Sequence, residues 1–204
     1  MPRPKEFDED EALQAAMELF WERGYEATSM SALVKRLGVA RASIYATFGD
    51  KHQLYLAALD RYVRQRDPEI VRGLSTPGPV LPLIRTLVEG YVRESQDPEA
   101  SRGCLVVNAA VERLAADEQA CRRVETSWTT LEVALMSALE RARLQGELNP
   151  EADPRSLASF LLVVLQGIRV VGRSPNRRTG VSLAAEQALD AVAASARVGH
   201  KQPE

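Results

Sequence analysis

Within the segment GVARASIYATFGDK (Gly38–Lys51), five side chains could hold an anion or hydrogen-bond to a polar edge: Arg41, Ser43, Tyr45, Thr47 and Lys51. On a helix turning about 100° per residue, Ile44 and Phe48 share one face and anchor the segment to its own domain. Ala42, Ser43 and Ala46 lie opposite, with Arg41, Tyr45 and Thr47 on the flanks. Small residues permit close approach, and flanking donors suit phosphates. A helix entering the major groove of duplex DNA needs that division. Asp50, with Gln53 three residues on, opens a further helix, whose N-terminal end and the Lys51 ammonium together suit a phosphate. The chain carries a net charge of −2, yet Lys35, Arg36, Arg41 and Lys51 form a basic strip against the single acid Asp50.

The elements that must position these groups read as helices throughout. Residues 8–23 carry Asp8 as N-cap, Glu11 three residues later, and Leu13, Ala16, Met17 and Phe20 at helical spacing, with Gly24 as the stop. A second helix starts at Thr28 or Ser29 and ends at Gly38. A third covers about 41–48, and a fourth opens at Asp50 and passes Leu54, Ala58 and Tyr62. Two short helices joined at Gly38-Val39 fit a helix-turn-helix. Eight of the 11 aromatic residues fall within the first 62 positions, as expected of a small unit whose core needs large rings.

Asp67-Pro68 and then Leu74 to Pro79 read as the linker, followed by helical segments near 80–95, 104–116 and 119–145. Asp153-Pro154 opens a helix to about Gly172. Ser174 to Gly180 reads as a basic loop, and a last Ala-rich helix covers about 182–197. The expected fold is all-α: an N-terminal three-helix helix-turn-helix DNA-binding domain (1–60) joined to a larger helical ligand-binding and dimerisation domain (61–204).

FWERGYEATSMSALVKRLGVARASIYATFGDKHQLYLAAL resembles the N-terminal domain of the tetracycline-repressor (TetR) family. The matching residues include Leu19-Phe20, Gly24-Tyr25, Thr28-Ser29, Gly38-Val39, Ile44-Tyr45, Phe48, Lys51 and Leu54. The likeness covers roughly residues 8–60. The resemblance implies a homodimeric regulator, usually a repressor, released from a palindromic operator by a small molecule or another signal. It also implies phosphate contacts at Ser29, Tyr45 and Lys51, with Arg41, Ala42, Ser43 and Thr47 along the groove. Position 40 departs from the family pattern: Ala stands where Ser or Thr is usual as the recognition-helix N-cap, a loss of ~1 kcal/mol. Arg3 and Lys5 form either an arm reaching the DNA or a tail.

In the larger domain, Leu161 to Leu165 is apolar around more than one helix face and must be covered on two sides. The last helix repeats Ala184, Ala185, Ala188, Ala191, Ala193 and Ala194. Both features suit a dimer built on the final two helices. Cys104, at a helix start beside Arg102, is a candidate thiol sensor with a lowered pKa, or else a small core residue. Tyr91, Asn108, Trp128 and Phe160 could line an effector cavity, or serve as ordinary core rings and a cap. No Cys/His cluster has zinc spacing, and no Gly-rich phosphate loop or hydrolase motif occurs. No metal, cofactor or catalytic role is therefore expected. His52 reads as solvated, and His200 lies in the tail. No apolar run looks long enough to cross a bilayer and no secretory h-region precedes the first helix, so a cytoplasmic protein without a membrane partner is expected. The competing readings are a helical protein-interaction module and an enzyme without a recognisable motif.

Overall fold

The computed structural model describes residues 7–97 and 102–195, and these are helical without strands. Arg3, Lys5 and His200 lie outside the described residues. The helices are α1 (Glu9–Arg23), α2 (Met30–Leu37), α3 (Arg41–Phe48), α4 (Lys51–Leu74), α5 (Val80–Gln96), α6 (Leu105–Arg113), α7 (Glu118–Leu144), α8 (Pro154–Val171) and α9 (Arg178–Ala194). A short 3-10 turn, Pro175–Arg177, precedes α9.

The chain divides into two compact units. One comprises residues 1–66 with 104–127, and the other 67–103 with 128–204. The sequence boundary at 60 did not anticipate that 104–127 would join the N-terminal unit. Apolar side chains on α6 and the start of α7, including Leu105, Val106, Ala109, Ala120 and Val124, are buried. That short amphipathic stretch must be covered somewhere, and nothing local in the sequence says by what.

In the first unit, Asp8 caps α1, its carboxylate accepting from the Asp10 and Glu11 N–H groups. Ala16, Phe20, Leu33, Ile44, Leu54, Ala58 and Leu59 are fully buried. Phe20 meets Tyr55 edge-on at 5.2 Å, and Trp21 meets Tyr62 at 5.0 Å, so rings supply much of this small core's volume. Arg61 joins α4 to α1 through both carboxylate oxygens of Asp10, at 2.5 and 2.9 Å.

Helix α4 runs through Pro68 to Leu74, which corrects the linker expected at Asp67-Pro68. Proline removes one backbone donor from the helix. Here burial of Leu74 and packing of Ile70 on the second unit's core offset that loss. Helix α9 begins at Arg178, four residues before the expected start. Gly180 falls in its first turn, where N–H groups have no partner within the helix.

The second unit packs Ile84, Val88, Leu135, Leu139, Leu161, Leu165 and Leu189 into one core. Helix α5 begins behind Pro79, which offers no side-chain cap. Glu147 replaces it: its carboxylate accepts from Val80 N–H at 2.8 Å and from Leu81 N–H at 3.0 Å. Gly172, at the end of α8, is pressed against Ser95, whose Cβ would lie 2.5 Å from an added methyl.

Helix α8 has 18 residues with a mean hydropathy of 1.4, long and apolar enough by length and composition to cross a bilayer. This corrects the expectation drawn from contiguous runs, since Ser159, Gln166 and Arg169 interrupt the apolar sequence without making the whole helix polar. Its Ala158, Leu161, Leu165 and Ile168 are buried in the unit's own core.

Replacing Glu147 with Ala should cost about 1–2 kcal/mol, read as a lower urea midpoint. An unchanged midpoint would mean that water caps α5 equally well.

Candidate nucleic-acid interface

The turn between α2 and α3 is set by Gly38, whose φ of 66° is left-handed, and by buried Val39. Leu33 and Ile44 fix the two helices to the core with no exposed surface. On α3, Arg41, Ala42, Tyr45 and Ala46 are exposed, while Ser43, Thr47 and Phe48 are half-buried. The outward face is thus a cation, two methyl groups and a phenol, with Ser43 and Thr47 set back at its edges. The Arg41 guanidinium donates to the Tyr45 hydroxyl at 3.0 Å and lies 5.5 Å from the ring centroid, so the pair is already joined.

The other expected contact residues have local tasks as well. Ser29 caps α2, its hydroxyl accepting from Ala32 N–H at 3.1 Å and lying 2.8 Å from the Ser31 hydroxyl. Ala40 gives α3 no side-chain cap. Asp50 accepts from Gln53 N–H at 2.8 Å at the start of α4. The basic strip is smaller than its sequence count suggests. Arg36 bonds to Glu18 and Glu22 at 3.3 and 3.1 Å and ties α2 to α1. Glu22 is the largest cause that raises its already high pKa.

Behind this surface lies a cluster that the sequence did not reveal. Lys51 Nζ sits 4.0 Å from the centroid of the Tyr25 ring, and the Arg113 guanidinium sits 4.5 Å from the same centroid. Glu112 of α6 accepts from Tyr25 N–H at 2.9 Å and Glu26 N–H at 2.8 Å. Arg113 pairs with Glu26 and, at 3.4 Å, with Asp117. Buried Thr28 donates its hydroxyl to the Gly24 carbonyl at 2.6 Å, closing the loop. Burial pushes the Tyr25 phenol above its ordinary pKa, so it stays protonated.

His52 corrects the expectation of a solvated side chain. Its Nε2 lies 2.7 Å from Asp117 Oδ2, and the Asp117 side chain is only 4% exposed. Burial pulls the Asp117 pKa upward, but bonds from Ala120 N–H, His52 and Arg113 outweigh it and hold the carboxyl below its usual range. Asp117 also caps α7 through Gln119 and Ala120 N–H. These partners lie up to 87 residues apart in sequence, and no local pattern links VERLAAD to the Gly24-Tyr25 loop.

The expected sensor residues are divided between the units: Cys104 and Asn108 belong to the first, Tyr91, Trp128 and Phe160 to the second. Cys104 stands at the N-cap of α6 and is only 2% exposed, as a small core residue would be. Burial, then Glu125, pushes the Cys121 thiol pKa above its ordinary value. Phe160 is 40% exposed and sits outside the core. Tyr91 is buried, with the Arg169 guanidinium 4.0 Å from its ring centroid. The buried Trp128 indole N–H and both amide atoms of Gln166 have no hydrogen-bond partner among the described residues. Gln166 was not singled out from sequence, where it reads as one polar residue in an apolar helix. Among the described residues, no group of His, Cys, Asp and Glu could hold a metal.

A short helix held by its apolar side against a three-helix core, with its small and cationic side outward, defines a helix-turn-helix DNA-binding protein. Residues 12–58 match the family model described as bacterial regulatory proteins, tetR family. Residues 80–188 match the tetracyclin repressor-like C-terminal domain. The chain is 39% identical over 162 residues to the uncharacterised HTH-type transcriptional regulator YezE of Bacillus subtilis (strain 168), covering 79% of this chain and 84% of that protein. It is 30% identical over 176 residues to the HTH-type transcriptional repressor ComR of Escherichia coli (strain K12), covering 84% and 82%. A cysteine-substituted CifR, a TetR-family regulator solved with 26-bp double-strand operator DNA, superposes with a TM-score of 0.81 at 31% identity, covering 93% of this chain and 99% of that one. The chain belongs to the TetR family of DNA-binding transcriptional regulators.

An Ala40→Ser substitution should supply the missing cap and stabilise α3 by about 1 kcal/mol. Slower amide exchange across α3 in the free protein checks this, and an unchanged exchange rate would show that the helix end is satisfied otherwise.

Proposed function

We propose that the protein is a repressor that binds a palindromic operator as a two-fold dimer, inside the cell and without a membrane partner. Residues 1–60 read the DNA, and 61–204 pair the subunits and receive the signal. Each α3 enters the major groove, with Arg41, Ala42, Ser43 and Thr47 along it and Ser29, Tyr45 and Lys51 on phosphates. The observation that carries this is the exposed Arg41–Ala42–Tyr45–Ala46 face on a helix held to the core by fully buried Ile44 and half-buried Phe48. The CifR neighbour, bound to operator DNA, supports it. Ala42 and Ala46 offer methyl groups rather than hydrogen bonds, so water and DNA shape carry part of the discrimination.

Dimerisation uses α8 and α9. Val163 is 71% and Leu183 67% exposed, and Phe160, Val170 and Val171 are exposed with them. An apolar depression of about 530 Å³, lined by Val164, Gly167, Ile168, Val171, Val181 and Ala184 among others, separates the two helices. Apolar surface of this kind marks an interaction site, and a second copy presenting the same face closes it by symmetry.

The releasing signal is a small molecule taken up by the larger domain, with Tyr91 and Trp128 as its first candidate contacts. The orphaned Trp128 N–H and Gln166 amide favour a ligand carrying hydrogen-bonding groups. The burial of Cys104 favours such a ligand over a thiol-reactive signal.

The test is a titration of the purified protein against DNA flanking its own gene and against a random-sequence duplex pool, each at two salt concentrations. Tight binding that weakens steeply with salt, at two subunits per site and lost in Tyr45→Ala, is expected. Binding no better than to scrambled duplex, or one subunit per site, would overturn the proposal.

A further inference from the structure

We infer that Tyr25, in the loop between α1 and α2, is a positioning residue for DNA binding: its ring holds the Lys51 ammonium at the start of α4, where it meets a phosphate. The inference rests on the reading of Lys51 as a phosphate contact. A lysine head on a four-carbon stem samples many positions, and ordering it on binding weakens the contact. Here Nζ already lies 4.0 Å from the ring centroid, within cation–π range. The ammonium is thereby held beside the N-terminal end of α4, whose positive dipole end favours the same anion.

The ring is held in turn by its neighbours, with Phe20 stacked on it at 6.3 Å between centroids. Tyr55 packs against it at 4.9 Å between centroids, and His52 meets it edge-on at 6.3 Å. The Arg113 guanidinium lies 4.5 Å from its centroid. Its backbone is fixed by Glu112, whose two oxygens take the Tyr25 and Glu26 N–H groups. Gly24 leaves room for that carboxylate, since a Cβ there would stand 2.9 Å from Glu112 Oε2, and its φ of 81° suits glycine. A tyrosine needed only as core volume would not require two cations on one ring.

The test is a salt series of operator affinity, using the duplex recovered from the random pool and the full chain. Four variants are compared with the parent: Lys51→Met, Tyr25→Leu, their double mutant, and Tyr25→Phe. Lys51→Met should weaken binding and flatten the log–log salt slope by about one unit. Tyr25→Leu should weaken binding about two- to fivefold and flatten the slope in the same direction, while Tyr25→Phe, which keeps the ring, should match the parent. The double mutant should bind no worse than Lys51→Met alone. Ring-fluorinated phenylalanine at position 25 drains the ring face at nearly constant volume. It should reproduce the Tyr25→Leu loss, and it decides the matter if the leucine variant does not fold. Additive effects in the double mutant, or parent-like binding by the fluorinated protein, overturn the positioning role and leave the Lys51 contact standing. A Lys51→Met variant with parental affinity and slope overturns the phosphate contact itself.

Discussion

A carboxylate that reaches across 86 residues of sequence to two backbone N–H groups is the interaction on which the reading head depends. Glu112 occupies the space that a side chain at position 24 would need, and it fixes the backbone of Tyr25 and Glu26. The loop so fixed delivers the chain to Ser29, which starts α2, and α2 with Gly38 sets where α3 projects. The bonds are charge-assisted and therefore stronger than neutral ones. Without them, two N–H groups at the end of α1 would have to find other acceptors.

The same solution recurs in the second unit. Helix α5 starts behind a proline and leaves donors that its own sequence cannot cap, and Glu147 supplies the acceptor from 66 residues away. Asp117 caps α7 from the adjacent position while also bonding His52 of α4. Acids thus join helix ends to distant elements, which offsets the chain's many basic side chains without making them available as a broad cationic surface. Arg36, Arg61, Arg113 and Arg123 are all engaged in such pairs within the first unit. Of the basic strip, Arg36 is committed to such pairs, which leaves Lys35, Arg41 and Lys51 for an anion.

What could be read from the sequence was whatever depends on near neighbours. The helices, their Asp8, Ser29 and Asp153 caps and the stops at Gly24 and Gly38 follow from residues within one turn of each end. The division of α3 into a core side and an outward side followed from helical angle alone. Pro68 misled because a proline's cost is local, whereas the burial of Leu74 that offsets it is tertiary. The Tyr25–Lys51–Arg113 cluster and the half-buried His52–Asp117 pair could not be read, since each joins segments far apart in the chain. Cys104 was ambiguous in another way: its position at a helix start suits a reactive thiol or a small core residue alike, and its burial depends on tertiary packing that no local pattern reveals.

The most direct measurement is photo-crosslinking from a reactive amino acid placed at Ala42, on the exposed side of α3, to an operator duplex bound by the protein. Major-groove reading by α3 predicts crosslinks to bases in each half of the palindrome and none when the operator halves are scrambled. Retained operator binding with no crosslink from position 42 would contradict it, because some other surface would then be holding the DNA.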